Sequence, residues 1–447
     1  MINQIRSYFL KPVHLAPLAV FRMAFGFLML VSILRFMAKG WVYDMYIKPK
    51  LFFPYYGFEW VKPLGETGMY VLFIALAVAA LFIALGFLYR YSAILFFLGF
   101  TYVELIDKTN YLNHYYFISI MSFIIIFLPA QRYFSIDSSL NKKIAATYAP
   151  NYFILIIKFQ VFIVYFFAGI AKINTDWLLH AQPLKIWLPA HSEMPLIGNL
   201  LTKEWIAYFF SWFGCVYDLF IPFLLFIPRF IKPAYFFVIV FHLCTSLFFN
   251  IGMFPYIMIS LTTIFFTEDF HLKIINALRS IIRGNVIEDP IIYSPRVKTV
   301  KLISILFTIH FIIQLLIPFR YAIYPGNLYW TEQGYRFSWR VMLMEKAGTA
   351  FFYVHDRTSN GEIEVDNKKY LTYMQEKMMA TQPDMMIDYA KFLKAEFIRQ
   401  GLKDPIIRAQ SYVTLNGKGS REFIDPQVDL SVQSNSFLQN KTWVKKY

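Results

Sequence analysis

The chain has 447 residues, 58% of them hydrophobic and 16% charged, against roughly 45–50% and 25% in an ordinary soluble domain. That balance excludes a soluble globular protein and indicates a polytopic α-helical membrane protein. The net charge of +15 does not point to nucleic acid. No zinc-finger spacing, RNP-like stretch or basic heptad region accompanies it, and basic residues of membrane chains collect in cytoplasmic loops and at lipid headgroups.

The N-terminal stretch MINQIRSYFLKPVHLAPLAVF sets basic residues ahead of a long apolar run with no small-residue cleavage site, so it reads as a retained first span. Apolar runs of spanning length lie near 15–37, 68–89, 91–107, 115–131, 152–173, 206–228, 233–250, 252–267 and 299–318. A crossing needs about 17–25 residues, so we expect about nine spans, with eight the nearest alternative and one run beside Asn250-Ile251-Gly252 open to being re-entrant. With the N-terminus cytoplasmic, the inside loops hold Arg6 and Lys11, Arg90, Arg132 with Lys142 and Lys143, Arg229 with Lys232, and Lys273, Arg279, Arg283, Arg296 and Lys298. The basic 38–67 loop runs against this scheme. Cys215 and Cys244 both fall in apolar runs and read as core residues, not as a disulfide.

Composition changes at about residue 319. Residues 1–318 form the helical membrane domain, and 319–447 form a small extracytoplasmic domain of α+β or β-rich type. Thr349 to His355 and Ala409 to Leu415 have strand character, Tyr370 to Gln400 has helical spacing, and Asn360-Gly361 and Asn416-Gly417 are turn signals.

Three polar clusters fall at the outward ends of spans: Asp107 to His114, Lys172 to Trp177, and the turn Asn250 to Phe254. On this topology they share one membrane face with the C-terminal domain. Asp107 and Lys108 can pair at a helix end, with Thr109 capping the turn after it. Asn113 and His114 open the next span, where the imidazole can bond a phenol or quinol oxygen or a backbone partner. Lys172 ends an apolar helix and has two readings: a side chain that lifts its head to the interface, or a buried amine able to act as a base. Asp176, four residues on, can hold it charged if the helix continues past Asn174. His242 sits in mid-span and needs a partner. The scattered histidines form no zinc pattern, so no metal site is expected, and nucleotide or serine-hydrolase motifs are absent.

Six blocks, LAVFRMAFGFLM (18–29), LIDKTNYLNHYY (105–116), QVFIVYFFAGIAKINTDW (160–177), FHLCTSLFFNIGMFPYIM (241–258), WTEQGYRFSW (330–339) and FIDPQVDL (423–430), stand in an order that resembles the vitamin K-dependent gamma-carboxylase family and its HTTM-type membrane domain. The resemblance implies a reaction in which reduced vitamin K or menaquinol, a naphthoquinol, is deprotonated and reacts with O2. The resulting base removes a γ-proton from glutamate, and CO2 traps the carbanion. A γ-proton is too weak an acid for a protein side chain, so the base must be made on site and away from water. By the same resemblance, Lys172 is the catalytic base, and Asn113 with His114 holds the quinol oxygen. Phe254, Met258 and His242 belong to the quinone pocket, and Trp330, Tyr335 and Trp339 to the glutamate site.

The chain departs from the family after Trp339, where Val341-Met342-Leu343-Met344 lacks the family's histidine, and it lacks the cysteine pair and longer tail of animal members. These features imply a bacterial inner-membrane homologue with a periplasmic C-terminal domain, acting on a glutamate-containing peptide or protein from within the lipid bilayer. A quinol epoxidase without carboxylase activity is the alternative within the family. A transporter or receptor is the alternative outside it, but no inverted repeat or paired intramembrane charge supports it in the sequence.

Overall fold

The computed structural model describes residues 2–249, 251–282, 290–357, 361–437 and 439–447. Asn250, Asn360 and Arg283 lie outside the described residues. Nine helices coincide with the expected apolar runs: α1 Ala16–Ala38, α2 Gly65–Leu85, α3 Tyr89–Ile106, α4 Asn113–Phe127, α5 Tyr152–Lys172, α6 Glu204–Phe226, α7 Ile231–Phe248, α8 Phe254–Thr262 and α9 Val297–Leu316.

Among the described residues, six of these are long and apolar enough to cross a membrane, α1, α2, α5, α6, α7 and α9. The expectation of nine therefore exceeds what the helices support. At about 1.5 Å per residue, α4 with 15 residues and α8 with 9 fall short of a hydrocarbon core of about 30 Å. Helix α3 has the length but carries Arg90 and Glu104. Apolar composition marked where helices form; it did not fix which of them cross.

The C-terminal domain is an α+β unit. Strands β1 Lys346–His355, β2 Glu362–Val365, β3 Ile406–Leu415 and β4 Arg421–Glu422 form an antiparallel sheet in the order β2-β1-β3-β4. The register runs from Lys346 opposite Leu415 to His355 opposite Ile406. Asn416 and Gly417 both take positive φ, 51° and 73°, which is the backbone an Asn-Gly hairpin turn requires. The stretch expected to be one helix is two, α10 Tyr373–Met379 and α11 Pro383–Arg399. Pro383 opens α11 near its first position and cannot continue α10, because it has no N–H to donate. Alternation along β3 buries Ile407, Ala409, Ser411 and Val413 against Leu393 and Tyr389 of α11.

The buried apolar residues form two clusters. One fills the helix bundle. The other runs from Ala171, Trp177 and Cys215 at the helix ends into Phe352, Met385 and Leu393 of the C-terminal domain. Polar contacts join the same two parts. Lys108 pairs with Asp384 at 2.9 Å and Asp388 at 2.6 Å. Gln375 donates to Asp107 at 3.0 Å, and Lys50 of the 38–67 loop donates to the Lys369 carbonyl at 3.0 Å. The expected Asp107–Lys108 pair does not form. Asp107, not Thr109, is the cap, accepting from the Thr109 N–H at 2.8 Å, while Lys108 is drawn to two carboxylates of α11.

Candidate active site

Helix α5 stops at Lys172 because the chain leaves helical geometry at Ile173, and Asn174, fully extended, caps a new short helix Thr175–His180. The Asn174 side-chain oxygen accepts from the Trp177 N–H at 2.9 Å. Asp176 therefore lies on a different helix from Lys172, and the i,i+4 pair that the sequence allows is not made. Asp176 instead accepts from Asn416 at 2.8 Å and Lys418 at 3.3 Å, tying the helix end to the hairpin turn of the C-terminal domain.

The partner of Lys172 is Asp218, on α6. Lys172 Nζ lies 2.6 Å from Asp218 Oδ2, with the two side chains 7% and 5% exposed. The close crossing of α5 and α6 makes this contact possible. A Cβ at Gly169 would stand 2.7 Å from the Leu219 nitrogen and 2.9 Å from the Asp218 carbonyl carbon, so only glycine lets the backbones meet here. Small residues at such crossings are the membrane counterpart of core packing.

Lys172 and Asp218 form the polar end of a cavity of about 350 Å³ whose other walls are largely aromatic and aliphatic. This lies in the range of small-molecule sites, about 300–1,000 Å³, with few polar groups among apolar walls. The Trp177 ring centre is 5.4 Å from Lys172 Nζ. His242 lines the same space, with Nε2 2.8 Å from the Tyr165 hydroxyl and Nδ1 buried without a partner among the described residues. Phe254 and Met258 of α8 close one wall, and Val341 and Met342 descend from the C-terminal side. Phe209 and Val240 belong to the lining and are 54% and 37% exposed.

Of the residues singled out in the sequence, Lys172, His242, Phe254 and Met258 are brought together around this cavity. Asn113 and His114 are not on its wall. His114 packs behind Phe254, ring centres 5.8 Å apart. Asn113 donates to the Arg340 carbonyl at 2.9 Å and accepts from the Tyr111 hydroxyl at 3.0 Å, so both ends of its amide are held by protein. The bond to Arg340 anchors the main chain just before Val341 and Met342.

Trp330, Tyr335 and Trp339 also lie off the cavity. Trp330, 1% exposed, donates to the Lys445 carbonyl at 2.7 Å and meets Phe423 edge-on. Trp339, 1% exposed, packs on Tyr116 at 4.9 Å. Tyr335 stands 6.3 Å from Tyr329. These aromatics build the segment from Glu332 to Met342, whose positive φ at Glu332, Phe337, Trp339 and Met342 folds it tightly over the bundle.

Sequence reasoning missed Asp218 and with it a paired intramembrane charge, Lys172–Asp218, which the sequence was read as lacking. The signal was present: within the apolar run 206–228 Asp218 is the one acidic residue, and a carboxylate in mid-span needs a partner.

The bundle with its cap defines an integral membrane protein carrying an apolar, lysine-ended cavity beneath a lumenal-type domain. The HTTM domain matches residues 10–270, more than half of the chain, and the vitamin K-dependent gamma-carboxylase lumenal domain matches residues 299–447. The chain belongs to the vitamin K-dependent gamma-carboxylase family. No solved structure matches it.

Proposed function

We propose that the protein is a quinol-dependent glutamate carboxylase, coupling oxidation of a naphthoquinol (reduced vitamin K or menaquinol) by O2 to fixation of CO2 on glutamate side chains of a peptide or protein. The observation that carries this reading is the juxtaposition around one apolar-walled cavity of Lys172, its partner Asp218 and His242, whose Nδ1 has no partner among the described residues. The residues present fit a quinol: the walls are largely aromatic and aliphatic, Lys172 with Asp218 and His242 with Tyr165 supply the polar groups, and the exposed lining residues Phe209 and Val240 suit the passage of an isoprenoid tail. When bound, the quinol supplies with O2 the strong oxygen base that no side chain can provide.

The residues of the chain have separable tasks. The phenolic hydroxyl gives its proton to Lys172 Nζ as Nζ passes one of its own to Asp218 Oδ2, 2.6 Å away, which leaves a neutral carboxyl and an ammonium facing the deprotonated oxygen. His242 donates or accepts at Nδ1, with its other nitrogen fixed by Tyr165. Phe254, Met258, Val341 and Met342 exclude water. Asn113 and His114 act on the quinol through the wall they support. Trp330, Tyr335 and Trp339 shape the segment over which the glutamate approaches. We place the protein in a bacterial inner membrane, N-terminus cytoplasmic and C-terminal domain periplasmic.

The test incubates membranes containing the full chain with reduced menaquinone, labelled bicarbonate and a glutamate-rich peptide. Quinone epoxide together with labelled peptide supports the reading, and both are lost in Lys172→Ala. Epoxide without fixed label identifies an epoxidase alone, and epoxide surviving in Lys172→Ala removes the lysine from the chemistry.

A further inference from the structure

A second cavity, of about 250 Å³, lies where the C-terminal domain meets the helix ends, and its walls carry four cationic side chains: Lys108, Arg320, Arg336 and Lys441. Most of the charge around it is matched. Lys108 is held by Asp384 and Asp388, and Arg336 shares Asp384 at 2.7 Å. Glu332 is bonded to Lys346 at 2.9 Å. Those six side chains sum to zero.

Arg320 and Lys441 are left over. Arg320 Nη2 donates to the Arg336 carbonyl at 2.7 Å, and its Nε is buried without a partner. Among the described residues, no carboxylate lies within ion-pair distance of either Arg320 or Lys441. Two unmatched cations in a partly enclosed space are costly unless a ligand of opposite charge answers them. A guanidinium fork and an ammonium on the walls of one cavity suit the oxygens of carboxylate groups.

We propose that this cavity binds a geminal dicarboxylate, the malonate-type side chain of a glutamate that has already been carboxylated. The charge argument asks for two negative charges held close together, which a lone glutamate does not offer. The location links the site to the reaction: Glu332, Gln333, Gly334, Arg336 and Phe337 line this cavity, and the same segment runs on to Val341 and Met342 in the cavity of Lys172. A product side chain held here keeps the peptide on the protein while another glutamate is presented. The identity of the ligand's source rests on the carboxylase reading; the charge chemistry of the cavity does not.

The site carries its own pH dependence. Burial lowers Lys441 to about 8, with Asp384 opposing the fall and Lys108 and Arg336 adding to it. Below that value the ammonium is present to meet the dianion, so affinity falls as pH rises through about 8.

The experiment is calorimetric titration of the detergent-solubilised full chain at neutral pH with malonate, acetate and inorganic phosphate as probes. The expected result is malonate binding at least about tenfold tighter than acetate or phosphate, a difference of about 1.4 kcal/mol. Lys441→Gln weakens malonate by about tenfold or more, and Lys441→Arg, which keeps the charge, retains it. Acetate binding as well as malonate, phosphate binding better, or malonate affinity unchanged in both Lys441→Gln and Arg320→Gln overturns the proposal. Lys172→Ala separates the two readings: it abolishes epoxide formation on the carboxylase reading and leaves malonate affinity unchanged on this one.

Discussion

Replacing Asp218 by Asn removes the charge that answers Lys172 while keeping the volume of the side chain. The pair is short, 2.6 Å, and both side chains are at most 7% exposed, so water cannot take over the lost interaction. Breaking a buried ion pair from one side costs about 3–5 kcal/mol. An asparagine here can neither balance the ammonium nor take a proton from it, so most of that cost falls on removal of the phenolic proton, and epoxide formation slows by about 10²–10³-fold. The assay is the initial rate of quinone epoxide formation by purified protein supplied with reduced menaquinone and O2, alongside the thermal midpoint. A second variant separates chemistry from folding. Lys172→Met with Asp218→Leu removes both charges, and replacement of a buried pair by apolar groups is often neutral or stabilising; it regains thermal stability but not activity. A rate in Asp218→Asn within about threefold of the parent, less than about 1 kcal/mol in barrier, would refute the reasoning.

Three further outcomes rest on the same geometry. Gly169→Ala sets a methyl group 2.7 Å from the Leu219 nitrogen, so α5 and α6 separate at a cost of about 1–3 kcal/mol; thermal midpoint and epoxide rate both fall, whereas Gly419→Ala, whose Cβ meets nothing within 4 Å, changes neither. Lys108→Gln strips the shared cation from Asp384 and Asp388 and destabilises the seam by about 3–5 kcal/mol, read as faster proteolytic release of the C-terminal domain from the bundle. For Asp384, burial opposes ionisation, but Arg336 and then Lys108 outweigh it and hold the carboxyl well below its usual value. A depressed folded value means stabilisation that is present above about pH 4 and lost as pH falls through the folded value. The difference in thermal midpoint between parent and Asp384→Asn therefore shrinks on acidification below about pH 4, and a constant difference contradicts the assignment.

The sequence carried the helices and the strands of the cap well, because apolar runs and β-branched alternation are local signals. Thr349 to His355 and Ala409 to Leu415 lie within two strands that pair with each other, and Asn416-Gly417 makes its turn. What it could not carry were partners far apart in the chain. Lys108 looked paired to Asp107 beside it and is paired to residues of α11, 276 and 280 positions on in the numbering. Lys172 looked paired to Asp176 and is paired to Asp218, because the local break at Ile173 and Asn174 turns Asp176 away. Helix number was legible, but crossing number was not, since α4 and α8 are apolar without being long. Motif resemblance singled out these residues, and geometry sorted them by position. Lys172 and His242 stand on the cavity wall, Asn113 and His114 support that wall, and the aromatics from Trp330 to Trp339 build the segment above it.

The most direct test of the central claim is a structure of the full chain with a naphthoquinone bound. The account predicts its ring in the cavity between α5, α6 and α7, with one oxygen within hydrogen-bond reach of Lys172 Nζ and His242 Nδ1 within reach of the quinone head. A ring seated instead in the separate cavity of about 270 Å³ beside His310 and Gln314 would contradict it.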